Sequence, residues 1–283
     1  MGRVDVSVII PSRDRCRQLR QALASIQAQS VTPREIIVVD DGSADGTADM
    51  LRREHPDVTL LCQPHAGVSA ARNRGILHST SAWIALLDDD DEWLPDKLER
   101  QLDAIGAPPA ALVCHTEEIW IRRGRRVNAK KKHAKRGGWI FEHCLPLCCM
   151  SPSSILLHRS VVDDVGLFDE ALPACEDYDL WLRIACRYPV LFVDEPLVIK
   201  HGGHDDQLSR RFWGMDRFRV RALEKIRETP FLTDAQRDAV RDTLRQKLHI
   251  LHLGADKRGK HDEARRYLSA LQDLDAADGP LTS

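Results

Sequence analysis

The chain has 283 residues, 43% of them hydrophobic, with 41 Lys plus Arg against 43 Asp plus Glu for a formal net charge of -2. That composition supplies a full globular core, and its near-neutral balance carries no electrostatic footprint for nucleic acid. No apolar run approaches the roughly 20 residues of a membrane helix. The start MGRVDVSVIIPSRDR has neither the apolar core and cleavage site of a secretion signal nor, with Val6 in place of Ser or Thr, the myristoylation pattern, so a cytoplasmic protein is expected.

In chain order, VDVSVII is a β-branched run that predicts a buried strand closed by Pro11, and CRQLRQALASIQAQS predicts a helix with Cys16, Leu19, Leu23 and Ile26 on one face. EIIVVDDGS is a second strand with a sharp stop, TADMLRREH a helix, VTLLC a third strand; HAGVSAARNRGILHS turns helical after Gly67, and AWIALL is a fourth strand. Alternation with short connections predicts a mainly parallel sheet flanked by helices, with ligands collecting at the carboxyl ends of its strands. Residues 11–13, 40–43 and 88–91 fall on that rim.

PDKLERQLDAI predicts a helix with Pro95 near its first turn. AALVCHTEEIWI reads as a strand, and SSILLHRSVVDDVG as a strand, a helix and a turn at Gly166. CEDYDLWLRIACRY is an amphipathic helix with Leu180, Trp181, Ile184 and Ala185 inward, and VLFVDEPLVIKHGGHDDQLS gives two short strands and a polar loop. From Trp213 onward only helical periodicity remains, with Thr233 ahead of one helix.

The cysteines at 16, 62, 114, 144, 148, 149, 175 and 186 form no repeated CxxC pair, and a chain of this length needs no disulfide staples, so all eight are expected as thiols. His143, Cys144, Cys148 and Cys149 match no standard zinc spacing. Between Arg122 and Arg136 lie nine Lys or Arg and one His. Such a run is a solvated loop or a contact for an anionic membrane or a phosphate-bearing substrate.

The stretch LLDDDDEW raises a sharper question, because carboxylates at consecutive positions repel. An acidic helix N-terminus accounts for Glu92 and Asp96. It accounts less well for Asp88, Asp89, Asp90 and Asp91, which are held between a strand and a helix, where a divalent cation bound through one or two carboxylates and nucleotide phosphates fits.

VSVIIPSRDR, EIIVVDDGSADGT, GVSAARNRG, LLDDDDEW and, about ninety residues on, CEDYDLWLR together resemble the family 2 glycosyltransferases, from Val6 to about Ser209. The resemblance implies a GT-A fold: a nucleotide-binding half over 1–105, an acceptor and catalytic half over 106–210, and a helical extension over 211–283. It implies a nucleotide-diphosphosugar donor, a UDP-sugar favoured, a glycan or lipid-linked acceptor, and Mn²⁺ or Mg²⁺ as cofactor.

Position by position, the resemblance makes Pro11, Ser12 and Arg13 the lip of the nucleotide pocket. Asp41 becomes the base-recognising aspartate with Asp40 beside it, and Arg72 and Asn73 pocket-lining. Asp88 and Asp90 become the two acids of a DxD element, Asp90 toward ribose and metal, with Asp91 sharing the ion. Asp89 stands where relatives often carry a small polar residue, which makes the site more acidic. Asp177 becomes the catalytic base, Glu176 its neighbour, and His204 the first choice, His201 the second, for a histidine near metal or diphosphate. The residues alone also allow CED to be a helix cap. Two rivals are a sugar nucleotidyltransferase, disfavoured because IIPSRDRCRQ lacks a glycine-rich loop, and a silent nucleotide-binding scaffold, disfavoured by Asp177.

Overall fold

The computed structural model describes residues 2–107, 111–128, 133–203, 212 and 214–276. Strands β1 (Arg3–Ser12), β2 (Thr32–Asp40), β3 (Thr59–Cys62) and β4 (Trp83–Leu86) are mutually parallel, linked by helices α1 (Cys16–Gln27), α2 (Thr47–Glu54) and α3 (Val68–His78). Both faces of this half are covered, so Val6, Val8, Ile9 and Ile10 are all fully buried and β1 reads as an unbroken apolar run instead of an alternating one. Helix α3 lies directly on the sheet: a Cβ at Gly75 would collide with Ile9 Cγ2, so only glycine permits this approach.

The second half adds β5 (Glu92–Trp93), α4 (Lys97–Gly106), β6 (Val113–Arg122), β7 (Arg125–Val127), α5 (Phe141–Cys144), β8 (Leu156–His158), α6 (Arg159–Val165), α7 (Glu176–Ala185) and β9 (Leu191–Gly202). The described strands form one nine-stranded sheet in the order β3-β2-β1-β4-β8-β6-β9-β5, with β7 hairpinned onto β6. Leu180, Trp181, Ile184 and Ala185 are all buried, as the amphipathic pattern predicts.

Three details differ from the sequence reading. The two short strands expected after Val190 are one strand, β9, whose register against β6 shifts around Glu117, opposite Pro196. Proline has no N–H for the ladder, and a bulge absorbs it without ending the strand. Glu92 does not open a helix; it lies on β5, paired with Ile199 of β9, and α4 begins only at Lys97. Cys144 and Cys149, expected as thiols, form a disulfide with their Cα atoms 5.3 Å apart, because the chain folds back just after α5; the other six are free.

The C-terminal helices α8 (Asp216–Arg227), α9 (Asp234–Lys257) and α10 (His261–Ala276) pack their apolar faces into the same core as Trp181 and Tyr178. Thr233 starts α9 with a reciprocal capping box to Gln236. Lys247 on α9 ties this layer down by donating to the Pro146 carbonyl (2.8 Å) and to Asp216 (2.9 Å).

Candidate active site

The site lies along the carboxyl ends of β1, β2 and β4, where strands hand over to loops. Pro11 and Ser12 end β1 and are buried, whereas Arg13 is exposed, 3.6 Å from Asp14. The loops after β1 and β2 are laced together: the Asp14 N–H donates to Ser43 Oγ, the Ala44 N–H to Asp14 Oδ1, and the Cys16 N–H to Asp45 Oδ2, all within 2.9 Å. Asp40 accepts from the Ser43 N–H (2.9 Å). Asp41 accepts from Gln63 Nε2, His65 Nδ1 and the N–H groups of Ala66 and Gly67. Burial opposes its charge, but these donors hold its pKa below the ordinary value. Its carboxylate thus fastens the 63–67 loop ahead of α3.

The repulsion within the acidic run is relieved largely by cations from elsewhere in the chain. Arg72 donates to Asp88 (2.7 Å); Arg15 donates to both Asp89 (3.0 Å) and Asp90 (2.7 Å); Lys200 stands 3.8 Å from Asp91. The four acids then divide by orientation. Asp89 and Asp91 are buried, with Asp91 accepting from Ser153 Oγ (2.6 Å) and the His201 N–H (3.2 Å). Burial pushes Asp89 up to about 7 and Asp91 well above its usual value, against the pull of Arg15 and Lys200 respectively. Asp88 and Asp90 keep 23% and 18% of their side-chain surface exposed and face the rim. Burial opposes ionisation of Asp88 too, but the Arg72 and Lys200 charges outweigh it and its pKa falls.

Arg72 joins the two halves of the site. Its guanidinium is buried, with one nitrogen on Asp88 and the other 2.8 Å from Glu176 Oε1. A planar fork holds the two carboxylates on two separate nitrogens in one fixed geometry. Residues 88 and 176 are far apart in sequence, and this bridge sets the opening of α7 against the acidic rim. Cys175, immediately before α7, is held at φ 62°, a left-handed conformation costly for a residue with a Cβ and characteristic of functional turns. Asp177 follows in the first helical turn. Its Oδ1 accepts from the Tyr178 N–H (2.7 Å), its Oδ2 lies 3.3 Å from Cys148 Sγ, and the residue is only part-buried. Asp179, by contrast, is buried and engaged by Arg183 and Lys225.

Asn73 does not point into this cleft: its side chain bonds the Phe168 backbone and Glu170, clamping the 168–170 loop. His201 Nε2 meets Glu92 at 2.6 Å. His204 lies outside the described residues, as do Lys130, Lys131 and Lys132 of the basic run. Of that run, Arg122, Arg123, Arg125 and Arg126 form the β6–β7 hairpin, while Lys135 folds inward onto Glu118 (3.1 Å) and the Thr116 carbonyl (2.7 Å). Arg15, Lys200 and Ser153 belong to the site although the sequence reading did not select them. Arg15 stands in the same PSRDR stretch as Arg13 and Lys200 in the same KHGG stretch as His201, but nothing local says which member of each turns toward the acids.

The chain is similar to known proteins in sequence and in fold. The family model described as Glycosyl transferase family 2 matches residues 7–165. An uncharacterized glycosyltransferase of Rickettsia conorii is 30% identical over 213 residues, 73% of this chain and 35% of that protein. The pre-mycofactocin glycosyltransferase of Mycobacterium tuberculosis is 30% identical over 219 residues, 74% of this chain and 44% of that protein. The chain therefore spans less than half the length of either relative. Among solved structures, S. aureus TarS 1-349 in complex with UDP-GlcNAc superposes with a TM-score of 0.73 at 17% identity, covering 97% of this chain and 80% of that one. The mannosyltransferase PcManGT from Pyrobaculum calidifontis, in complex with GDP-Man and Mn²⁺, does so with a TM-score of 0.62 at 18% identity, covering 99% and 77%. These likenesses extend the shared fold through the C-terminal helices.

Proposed function

The chain belongs to glycosyl transferase family 2, and on that premise we propose that it moves a sugar from a nucleotide-diphosphosugar donor to an acceptor hydroxyl, with inversion at the anomeric carbon. The observation that carries this reading is the Arg72 bridge, which joins Asp88, after β4, to Glu176, the neighbour of the part-buried Asp177. Inverting transfer is an in-line displacement, requiring a base on the acceptor side and charge neutralisation on the leaving-group side. Asp177 takes the acceptor proton, the attacking oxygen forms the new bond to the anomeric carbon, and the bond to the diphosphate oxygen breaks with its electron pair leaving on the nucleotide. Glu176 holds Arg72 in place and is not itself available as a base.

Asp88 and Asp90 are the residues that would hold Mn²⁺ or Mg²⁺. Both keep carboxylate oxygens at the rim, and hard oxygen donors suit these ions. Among the described residues no three His, Cys, Asp or Glu side chains gather around one point, so the remaining ligands would be donor phosphates and water. When bound, the ion neutralises charge on the departing diphosphate. Asp91, its oxygens taken by Ser153 and His201, acts as the anchor of the loop.

A UDP-sugar is the favoured donor, supported by the fold shared with TarS seen with UDP-GlcNAc; the fold shared with a GDP-Man complex supports the donor class more broadly. The acceptor is a glycan or lipid-linked saccharide of bacterial surface polysaccharide or glycolipid assembly. No helix among the described residues is long and apolar enough to cross a membrane, and the arginines of the β6–β7 hairpin offer positive charge to an anionic acceptor or the inner face of the plasma membrane. Calorimetric titration with UDP tests the metal reading. Binding is expected with Mn²⁺, weakened at least about tenfold by EDTA or by Asp90→Ala. Equal affinity in EDTA would remove the metal from the site.

A further inference from the structure

Cys148 sits in the loop that the Cys144–Cys149 bond closes. Two further contacts hold this loop: the Leu145 carbonyl accepts from the Tyr178 hydroxyl on α7 (2.6 Å), and the Pro146 carbonyl accepts from Lys247 on α9 (2.8 Å). The loop is thereby pressed against the opening turn of α7. Cys148 Sγ ends up 3.3 Å from Asp177 Oδ2 and 3.1 Å from the Met150 carbonyl. A sulfur this close to a carboxylate oxygen is favourable only as S–H, with the hydrogen directed between the two acceptors. Burial, with the Asp177 charge adding to it, pushes the thiol well above its usual range, so it stays protonated as a donor. Asp177 Oδ1 is already fixed by the Tyr178 N–H.

We propose that Cys148 is a positioning residue for Asp177: its thiol holds Oδ2 so that the carboxylate keeps one orientation toward the acceptor hydroxyl. A thiol suits the task because it is a weak donor. It orients the oxygen while withdrawing little of the basicity that the oxygen needs, and it leaves the second lone pair of Oδ2 for the incoming O–H. This rests on the reading of Asp177 as the base.

The test measures nucleoside diphosphate release from the UDP- or GDP-sugar that wild type turns over fastest, with water as the acceptor and Mn²⁺ present. Cys148→Ala is expected to lower kcat about 5–10-fold while donor KM, UDP affinity and melting temperature stay near wild type. Cys148→Ser, which restores a donor of similar size, is expected to return kcat to within about twofold. Wild-type kcat in Cys148→Ala would overturn the proposal. So would equal impairment of both variants with a lowered melting temperature, which would mean that the thiol only fills space. Asp177→Asn in the same assay separates the two levels. If it loses turnover while Cys148→Ala keeps it, the positioning role alone falls; if Asp177→Asn itself turns over normally, the base assignment falls and Cys148 with it.

Discussion

Asp177→Asn is expected to leave nucleoside diphosphate affinity near wild type while transfer falls by about 10²-fold or more. The substitution keeps size and polarity and removes the basic site. An amide oxygen can still accept from the Tyr178 N–H that Asp177 Oδ1 now holds, and Asn is well tolerated at helix starts, so the melting temperature is expected to hold. Asp88 and Asp90, the proposed metal ligands, lie with the acids after β4, across the Arg72 bridge from Glu176, so binding is expected to survive. A residue that merely caps α7 would give a different result, with turnover and stability both almost unchanged. Near-normal transfer would turn attention to Glu176 and Asp179, whose carboxylates are both already engaged by cations. The three measurements on one variant are a UDP dissociation constant, a transfer rate and a thermal melt.

Arg72→Met is expected to cost both stability and activity. Removing the guanidinium leaves the buried Glu176 and the part-buried Asp88 without their shared counterion, and breaking a buried pair in this way costs about 3–5 kcal/mol. For a domain of this size that is a melting temperature lowered by about 6–20 °C. Arg72→Lys is expected to rescue only part of the loss, because a single ammonium nitrogen does not reproduce the fixed two-nitrogen fork that reaches both acids. Adding Glu176→Gln to Arg72→Met removes one of the stranded charges and is expected to recover more than about 1 kcal/mol. Thermal or urea unfolding of wild type, Arg72→Met, Glu176→Gln and the double variant gives the cycle. A melting temperature of Arg72→Met within about 2 °C of wild type would mean that the bridge does not hold the two halves of the site together.

The parallel half of the fold is legible in the sequence because each signal there is local. A β-branched run fills a strand covered on both faces, and an apolar face recurs at helical spacing in α1. The rim positions are legible for the same reason, since a strand end followed by a turn marks them without tertiary information. What is not legible depends on pairs distant in the chain. The acids of LLDDDDEW read as one uncompensated cluster because their partners, Arg15, Arg72 and Lys200, are supplied by three other elements. Which acids face the rim is likewise decided by Ser153 and the His201 backbone claiming Asp91. Asn73 adjoins Arg72 in sequence yet turns to the 168–170 loop, since consecutive helical residues point about 100° apart. Strand β5 is two residues long and exists only because β9 is there to pair with it, so no periodicity announces it. The Cys144–Cys149 bond needs a chain reversal that a five-residue spacing neither demands nor forbids.

Sugar transfer is tested most directly by one assay: release of nucleoside diphosphate from a panel of UDP-, GDP- and dTDP-sugars by the purified chain with Mn²⁺, run beside Asp177→Asn. The expected result is turnover of one or two donors, UDP-sugars foremost, that is lost in the variant; a protein that binds these nucleotides yet turns over none of them, or equally with and without the Asp177 carboxylate, would contradict the assignment of this cleft as a glycosyltransferase active site.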